Sequence, residues 1–171
     1  QGCSNETNDP LPEQERVGGR AAYSHTRAIV SLGPRPPGSS ALRKTREYIT
    51  SRLERYGWDV VPQPFTKLIP ALGKQVTFTN LIARYGGSSE SQIKVLLGAH
   101  IDSKLYPDRR FVGADDAASA AGVILEIARQ LTATPQKASS LELIFFDGEE
   151  AFGQNISPND GLYGSKFYAN H

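Results

Sequence analysis

Six ionisable residues fall in three short clusters along the chain, and their types are those of a metal site. The clusters are His100 with Asp102, Asp115 with Asp116, and Glu149 with Glu150. Carboxylates gathered in a partly desolvated cleft repel one another and raise one another's pKa, and a divalent cation removes that conflict. Imidazole and carboxylate ligands without a thiolate are typical of a catalytic zinc, which keeps one coordination position open for water or substrate. The clusters therefore predict a catalytic metal site if the fold brings them together.

The acidic pair Asp115 and Asp116 also has a purely structural interpretation. Aspartates at the beginning of a helix accept hydrogen bonds from free backbone N–H groups and stabilise the helix dipole. The two remaining histidines are not expected to join the site. His25 precedes the predicted core and is expected on the surface, and His171 is expected on a helix that follows Leu162.

A strand–helix–strand unit is predicted to position the clusters. Residues 94–99 and 141–146 are short unbroken apolar runs, which are typical of strands covered on both faces, and residues 117–131 have the period of a helix. Strands joined by such a helix run parallel with a right-handed crossover. Because ligands bind beyond the carboxyl ends of the strands in open α/β sheets, all three clusters are expected at one edge of the sheet.

The residues before this unit predict further parts of the same fold. Residues 41–56 have the apolar spacing of an amphipathic helix. Residues 59–65 contain Pro62 and Pro64, which cannot donate ladder hydrogen bonds, so this segment can only be an edge strand or an extended segment. Residues 75–85 alternate as a half-buried strand does. The expected fold class is α/β, with three layers in which a mostly parallel, twisted sheet is flanked by helices.

Composition excludes several classes of function. The chain has 171 residues with 19 basic and 18 acidic side chains, so it has no uniform field that would attract nucleic acid or an anionic membrane. Its longest apolar runs are strand-sized and far shorter than the roughly 20 residues that span a bilayer. Cys3 is the only cysteine, which excludes an internal disulfide and a multi-cysteine zinc site. A metal would therefore be bound by His, Asp and Glu.

The first 16 residues are almost wholly polar and predict a disordered leader or tether before a folded portion at residues 17–171. Within this leader, Gly2, Cys3 and Ser4 resemble the end of a bacterial lipoprotein signal, in which the cysteine is lipidated. That resemblance implies export to the periplasm or the cell surface, with membrane contact only through a lipid anchor on Cys3. The alternative is a cloning remnant that contains a cysteine by chance.

Longer motifs connect the clusters to a known family. They are PRPPGS at 34–39, FTNLIA at 78–83, AHIDSK at 99–104, FVGADDAAS at 111–119, LELIFFDGEEAF at 141–152 and SPNDGLYGSKF at 157–167. In these segments the sequence resembles the zinc-dependent M28 metallopeptidase superfamily and, within it, the animal-type glutaminyl cyclases. HIDS, GADD and EE would be shared with any M28 exopeptidase, whereas FFDGEEAF followed by SPNDGLYGS is more specific to the cyclases.

The resemblance implies a zinc exopeptidase-like fold and a set of residue roles. Asp116 and Glu150 would bind one zinc, together with a histidine from much further along the chain, and Glu149 would be the proton shuttle. The substrate would be the N-terminal glutamine of a peptide or protein, which cyclises to pyroglutamate with release of ammonia. The peptide bond between Asp116 and Ala117 is cis in the family, so a cis bond is expected here.

Other residues have roles that differ between branches of the family. In the one-zinc cyclases His100 would stand at the metal cavity, whereas in the two-zinc exopeptidases the matching histidine is a ligand and the position of Asp116 bridges the metals. Asp102 and Asp115 are candidates for the pocket or for a second metal site. Ile156 occupies the place where the animal cyclases have a pocket-lining tryptophan, so it would line the pocket without an aromatic ring.

Three functions stay open on the sequence. The first is a glutaminyl-peptide cyclotransferase. The second is a zinc aminopeptidase, in which Glu149 would activate a metal-bound water to attack the first peptide bond. The third is a non-catalytic domain that kept the fold and lost the site.

The domain itself is expected to be larger than the residues printed here. The resemblance implies that residues 17–171 are the N-terminal portion of one catalytic domain, whose further parallel strands and last zinc ligand follow His171. These residues alone are then expected to be inactive. The sequence contains no heptad seam and no basic patch, so no partner and no oligomeric state are predicted.

Overall fold

The computed structural model of the chain describes residues 18–171, so the predictions for the leader and for Cys3 lie outside the described residues. Nine helices and strands form the core of the described portion, and turns and two longer loops, at residues 101–119 and 147–162, connect them. The elements are α1 (Gly19–Ser31), α2 (Ser40–Arg55), β1 (Trp58–Ile69), β2 (Lys74–Tyr85), β3 (Val95–His100), α3 (Ala120–Leu131), α4 (Pro135–Ala138), β4 (Leu141–Phe146) and α5 (Tyr163–Ala169). No helix among residues 18–171 is both long enough and apolar enough to cross a membrane.

The four strands form one mixed sheet in the order β1-β2-β4-β3. Strands β3 and β4 are parallel, with Val95 opposite Leu141, so the predicted strand–helix–strand unit is confirmed. Strand β1 is at the edge of the sheet, as its prolines require. The described sheet is not mostly parallel, because β1 and β2 are joined by a turn too short for a crossover and β2 also pairs antiparallel with β4.

Helices cover both faces of the sheet. Leu143 and Phe145 of β4 point into the larger core cluster, which also contains buried residues of α1, α2 and α3. Glu142 points to the opposite face, where its carboxylate accepts a hydrogen bond from the hydroxyl of Tyr168 in α5.

The helix predicted at residues 41–56 is α2, and the side chain of Ser39 caps its first turn by accepting from the N–H of Leu42. The α/β class with a sheet between helices is therefore confirmed.

Helix α1 places His25 in the protein interior, so the prediction of a surface histidine is wrong. His25 is 9% exposed, and its Nδ1 lies 2.7 Å from the hydroxyl oxygen of Tyr48 in α2. Burial lowers the pKa of His25, and the nearby Arg52 lowers it further. The buried residues of α1 are Ala22, His25 and Ile29, and only Ile29 is a large apolar residue, so the sequence alone does not mark the position of His25 as buried.

Gly122 allows α1 and α3 to pack closely, and this contact predicts a stability effect. A Cβ on Gly122 would lie 2.5 Å from Oγ1 of Thr26 and 2.7 Å from the carbonyl oxygen of Ala22. We expect Gly122→Ala to lower the free energy of unfolding by about 1–3 kcal/mol, because the helices must move apart. Chemical denaturation monitored by circular dichroism measures the change.

Gly19→Ala is the matched control, since a Cβ on Gly19 meets no atom within 4 Å. Gly19 is the first residue of α1, where alanine gains less than the roughly 1 kcal/mol of a helix interior, so a lower stability of Gly122→Ala than of Gly19→Ala reports the close packing. Equal stability of the two variants would contradict the prediction.

Candidate metal centre

The ends of the two parallel strands bring the predicted clusters together. His100 is the last residue of β3 and lies opposite Phe146, the last residue of β4. Asp102 therefore comes beside the segment that carries Glu149 and Glu150. The expectation that these residues share one edge of the sheet agrees with the described geometry.

Asp102 is a buried carboxylate that holds neighbouring residues of the site in place. It is fully buried, and its Oδ1 accepts a hydrogen bond of 3.1 Å from the N–H of Glu149, while Oδ2 accepts one of 3.1 Å from the N–H of Glu150. Nδ1 of His100 lies 3.3 Å from Oδ1 of Asp102. One carboxylate thus fixes the backbone of both glutamates and the orientation of the imidazole.

His100 faces two further carboxylates. Its Nε2 lies 2.8 Å from Oδ1 of Asp116 and 3.9 Å from Oε2 of Glu149. Burial lowers the pKa of His100, but the hydrogen bond and charge of Asp102, the charge of Glu149 and the hydrogen bond of Asp116 outweigh burial and raise the pKa to about 9. A protonated His100 therefore supplies part of the positive charge that these acids need.

The pKa values of both glutamates are raised, as expected for acids that share a cation site. Burial raises the pKa of Glu149, and the charges of Asp102 and Asp116 raise it further. Burial likewise raises the pKa of Glu150, followed by the charges of Asp116, Asp102 and Glu149. A divalent cation would relieve this repulsion, so the donor set is chemically suited to one. Within residues 18–171, however, no group of three such side chains is arranged to hold a metal by itself.

An irregular turn at residues 114–119 presents Asp116 to His100. Gly113 begins the turn with a φ of 50°, and Asp116 leaves the helical conformation at φ −106° and ψ 92°. The peptide bond between Asp116 and Ala117 is cis, as the resemblance implied. The side chain of Asp116 is 64% exposed and accessible to a ligand.

Asp115 occupies a different position from Asp116. Its backbone carbonyl accepts a hydrogen bond of 2.7 Å from the hydroxyl of Ser119, and its carboxylate forms no ion pair with His100 among the described contacts. No side chain caps this turn, so the capping part of the structural interpretation is wrong, although Asp115 and Asp116 both lie in the first turn. His171 follows α5, and its ring stacks on Phe167 at 4.0 Å between centroids.

The loop after Glu150 is held by two charged residues that sequence reasoning missed. Lys104 is 8% exposed, and its Nζ donates to the carbonyl oxygens of Ala151 and Gly153. Asp160 accepts from the N–H of Phe152 at 2.9 Å and from the N–H of Gly153 at 2.7 Å. The signal available in the sequence was the lysine directly after the HIDS motif. The same loop carries Ile156, whose side chain is 46% exposed.

Asp147 lies beneath the site, and one of its oxygens has no partner. Its Oδ2 accepts from the N–H of Thr79 at 2.8 Å and from Arg46 at 3.0 Å, while Oδ1 is buried without a hydrogen bond. Burial raises the pKa of Asp147 from 3.8 to about 7, against the opposing effects of Thr79 and Arg46.

This shift predicts how stability depends on pH. Between about pH 4 and about pH 7 the folded state keeps a proton on Asp147 that the unfolded state has released, so rising pH favours unfolding over this interval. We expect Asp147→Asn to remove this contribution, so that the free energy of unfolding falls less across the interval. Urea denaturation of both proteins at several pH values measures it. The control is Asp108→Asn, which changes an exposed carboxylate. The prediction would be contradicted if Asp147→Asn kept the pH dependence of the wild type.

Comparisons with known proteins agree with this geometry. Residues 80–171 match the family described as Peptidase family M28. The glutaminyl-peptide cyclotransferase of Drosophila melanogaster is 37% identical over 142 residues, which cover 81% of this chain and 39% of that protein. A solved structure of Porphyromonas gingivalis glutaminyl cyclase is similar with a TM-score of 0.80 and 28% identity, covering 92% of this chain and 54% of the other. A Zn-dependent exopeptidase from Parabacteroides distasonis is similar with a TM-score of 0.78 and 29% identity, covering 94% and 57%.

The similarity extends over most of this chain but only part of each relative. The chain spans about 40% of the length of the curated relatives that it matches. The family match covers more than half of the chain and includes His100, Asp116, Glu149 and Glu150. The resemblance to M28 enzymes inferred from the motifs is confirmed: the chain belongs to peptidase family M28.

Proposed function

We propose that this chain is part of a zinc-dependent glutaminyl-peptide cyclotransferase, which converts an N-terminal glutamine to pyroglutamate and releases ammonia. The curated relative from Drosophila melanogaster bears that name, and it is 37% identical over 142 residues. The observation that carries the proposal is the position of Glu149. Its carboxylate lies 3.9 Å from His100, and its pKa is raised by burial and by neighbouring acids.

Asp116 and Glu150 would hold the zinc, with a histidine later in the chain as the third ligand. The described acids fit this role because burial and mutual repulsion raise the pKa of Glu150, and a cation would offset that repulsion. Zinc at this position would polarise the side-chain amide of the substrate. We expect one zinc ion in a cyclase.

Glu149 would move the proton that the reaction requires. The α-amine of the substrate attacks the side-chain amide carbon, a C–N bond forms, and the original C–N bond breaks to release ammonia. Glu149 would accept the proton from the attacking amine and return it to the leaving nitrogen. A carboxyl group whose pKa is raised by burial is suited to both transfers. The hydrogen bond from its N–H to Asp102 keeps Glu149 in place.

The remaining residues would shape the cavity. His100 would stand at its wall, oriented by Asp102, and Asp115 would lie at its rim. Ile156 would contact the substrate side chain through apolar surface, since its side chain is partly exposed in the loop that follows Glu150. The substrates would be the N-termini of peptides or proteins.

The direct test uses the full-length protein purified with zinc. Peptides that begin with glutamine are incubated with it, and mass spectrometry follows the loss of one ammonia from the intact peptide. We expect cyclisation without release of free amino acids. Release of amino acids from peptides, with N-terminal glutamine left unconverted, would overturn the proposal.

A zinc aminopeptidase is the second candidate. One structural relative is a Zn-dependent exopeptidase with a TM-score of 0.78 and 29% identity. Nε2 of His100 lies 2.8 Å from Oδ1 of Asp116, so both could bind a second zinc with Asp116 as the bridge. Metal analysis separates the candidates, because two zincs per chain favour hydrolysis and one favours cyclisation. A full-length protein that binds no zinc would favour a non-catalytic domain.

We propose further that residues 17–171 are the N-terminal portion of one larger catalytic domain. Strand β3 is at the edge of the described sheet, and its apolar residues Val95 and Leu96 are 51% and 56% exposed. An apolar edge strand of this kind is a site for pairing with a further strand. Amide hydrogen exchange in the full-length protein tests this, since rapid exchange of the β3 N–H groups that point away from β4 would exclude such a strand.

The leader is proposed to be a tether for an exported protein. Gly2, Cys3 and Ser4 match the end of a lipoprotein signal, and polar residues follow them. A lipid on Cys3 would then anchor the enzyme at the periplasmic or outer cell surface. Mass spectrometry of the native protein tests this, because an unmodified Cys3 would exclude lipidation.

A further inference from the structure

Arg35 is a fully buried arginine that makes no direct ion pair among the described residues. Its guanidinium instead donates to backbone carbonyl oxygens: Nε to Ile101 at 3.0 Å, Nη1 to Val112 at 2.6 Å and to Gly33 at 3.3 Å, and Nη2 to Gly113 at 3.1 Å. Burying a charged group is costly unless it is fully hydrogen-bonded, and here the N–H donors are directed to carbonyl dipoles.

The carbonyl groups that Arg35 binds belong to the two segments that carry the site. Ile101 lies between His100 and Asp102, while Val112 and Gly113 directly precede the turn of Asp116. The guanidinium therefore joins the segment that presents the imidazole to the segment that presents the carboxylate.

The backbone of Arg35 strengthens the first of these connections. Its N–H donates to Oγ of Ser103 at 2.9 Å, and the N–H of Ser103 donates to the carbonyl oxygen of Arg35 at 3.1 Å. Between residues 100–103 and residues 112–116, the described structure contains no backbone–backbone hydrogen bond. The side chain of Arg35 thus supplies hydrogen bonds that the backbone does not.

We infer that Arg35 is a positioning residue that sets the separation of His100 and Asp116, and through it the ligand geometry of the site. The inference rests on the proposed function in so far as Asp116 binds zinc. A planar guanidinium with donors in fixed directions can hold two segments at a defined spacing, which a single ammonium group cannot do. Groups that orient metal ligands in this way typically contribute about 10- to 100-fold to metal affinity.

The test compares Arg35→Lys with the wild type in the full-length protein. Lysine keeps the positive charge, but all its donors lie on one nitrogen, so it cannot reproduce the directed hydrogen bonds that Nε, Nη1 and Nη2 make to the two segments. We expect zinc affinity, measured by competition with a chelator, to fall about 10- to 100-fold. Without zinc, we expect amide hydrogen exchange in a peptide covering residues 111–118 to become faster, because the turn of Asp116 loses its attachment.

Arg129→Lys is the matched control. Arg129 pairs with Glu126 on α3, at 2.7 Å between Nε and Oε2, so this variant loses an arginine contact that is not part of the site. Zinc affinity and exchange at residues 111–118 should keep their wild-type values in Arg129→Lys. An arginine that served stability alone would leave zinc affinity unchanged in both variants.

The two measurements separate the failure of this inference from the failure of the proposed function. Wild-type zinc affinity together with wild-type exchange in folded Arg35→Lys would overturn the role of Arg35. Absence of zinc binding by the wild type would overturn the proposed function, and the exchange measurement would then decide on Arg35 alone. If Arg35→Lys does not fold, Arg35→Gln takes its place, because it removes the guanidinium without leaving a buried charge. Faster exchange at residues 111–118 in that variant supports the inference, and wild-type exchange overturns it.

Discussion

Replacement of Glu149 by glutamine is expected to lower kcat of the full-length protein by about 100- to 10,000-fold, which is the range for loss of a general acid–base. Glutamine has nearly the same shape but cannot accept or return a proton. Zinc binding should be retained, because the proposed ligands are Asp116 and Glu150 and because the backbone N–H of residue 149 still donates to Asp102. Steady-state kinetics and metal analysis of the same preparation measure both effects.

The pH dependence of the wild type adds a second measurement for Glu149. Burial and the charges of Asp102 and Asp116 raise its pKa, so the carboxylate needed to accept a proton is lost at a higher pH than for an ordinary glutamate. The activity should therefore fall on the acidic side, and Glu149→Gln should lack this limb. Glu47→Gln, which changes an exposed glutamate on α2, is the control. Full turnover by Glu149→Gln would exclude the proposed proton transfer.

The parts of the site that the sequence could predict have local signals. An apolar run followed by charged residues marks the end of a buried strand, and this pattern gave the positions of His100, Glu149 and Glu150 at one edge of the sheet. The parallel pairing of β3 and β4 follows from the helix between them. In these cases the signal and its structural consequence lie within a few residues of each other.

The parts that could not be predicted depend on contacts between distant residues. Arg35 binds carbonyl groups 66 to 78 residues away, apart from that of Gly33, and no periodic pattern marks it as buried. His25 is buried because α1 packs against other helices, with Tyr48 of α2 as its contact, and the sequence around His25 does not encode that packing. The alternation of polar and apolar residues in β2 shows which side of the strand is buried, but it does not show which strand β2 pairs with. The antiparallel pairing of β2 with β4 could therefore not be predicted from it.

The second large effect is expected for Gly113→Ala. Gly113 has a φ of 50°, and a Cβ there would lie 2.1 Å from the carbonyl oxygen of Asp116 and 3.0 Å from Cβ of Ser103. Since neither neighbour is the end of a flexible side chain, the turn itself must shift, and Asp116 must move with it. We expect zinc affinity to fall by at least about 10- to 100-fold, as for loss of a group that orients a ligand, and the melting temperature to fall as well.

Gly73→Ala separates the steric effect from the backbone conformation. Gly73 has a φ of 60° in the turn between β1 and β2, and a Cβ there meets no atom within 4 Å. This variant therefore carries a similar cost of left-handed backbone, roughly 1 kcal/mol, without a clash near the site. Zinc affinity should be unchanged in Gly73→Ala and strongly reduced in Gly113→Ala. An equal, small loss of stability in both variants with full zinc binding would show that the turn of Asp116 tolerates the added methyl group, and that the ligand position does not depend on a glycine at residue 113.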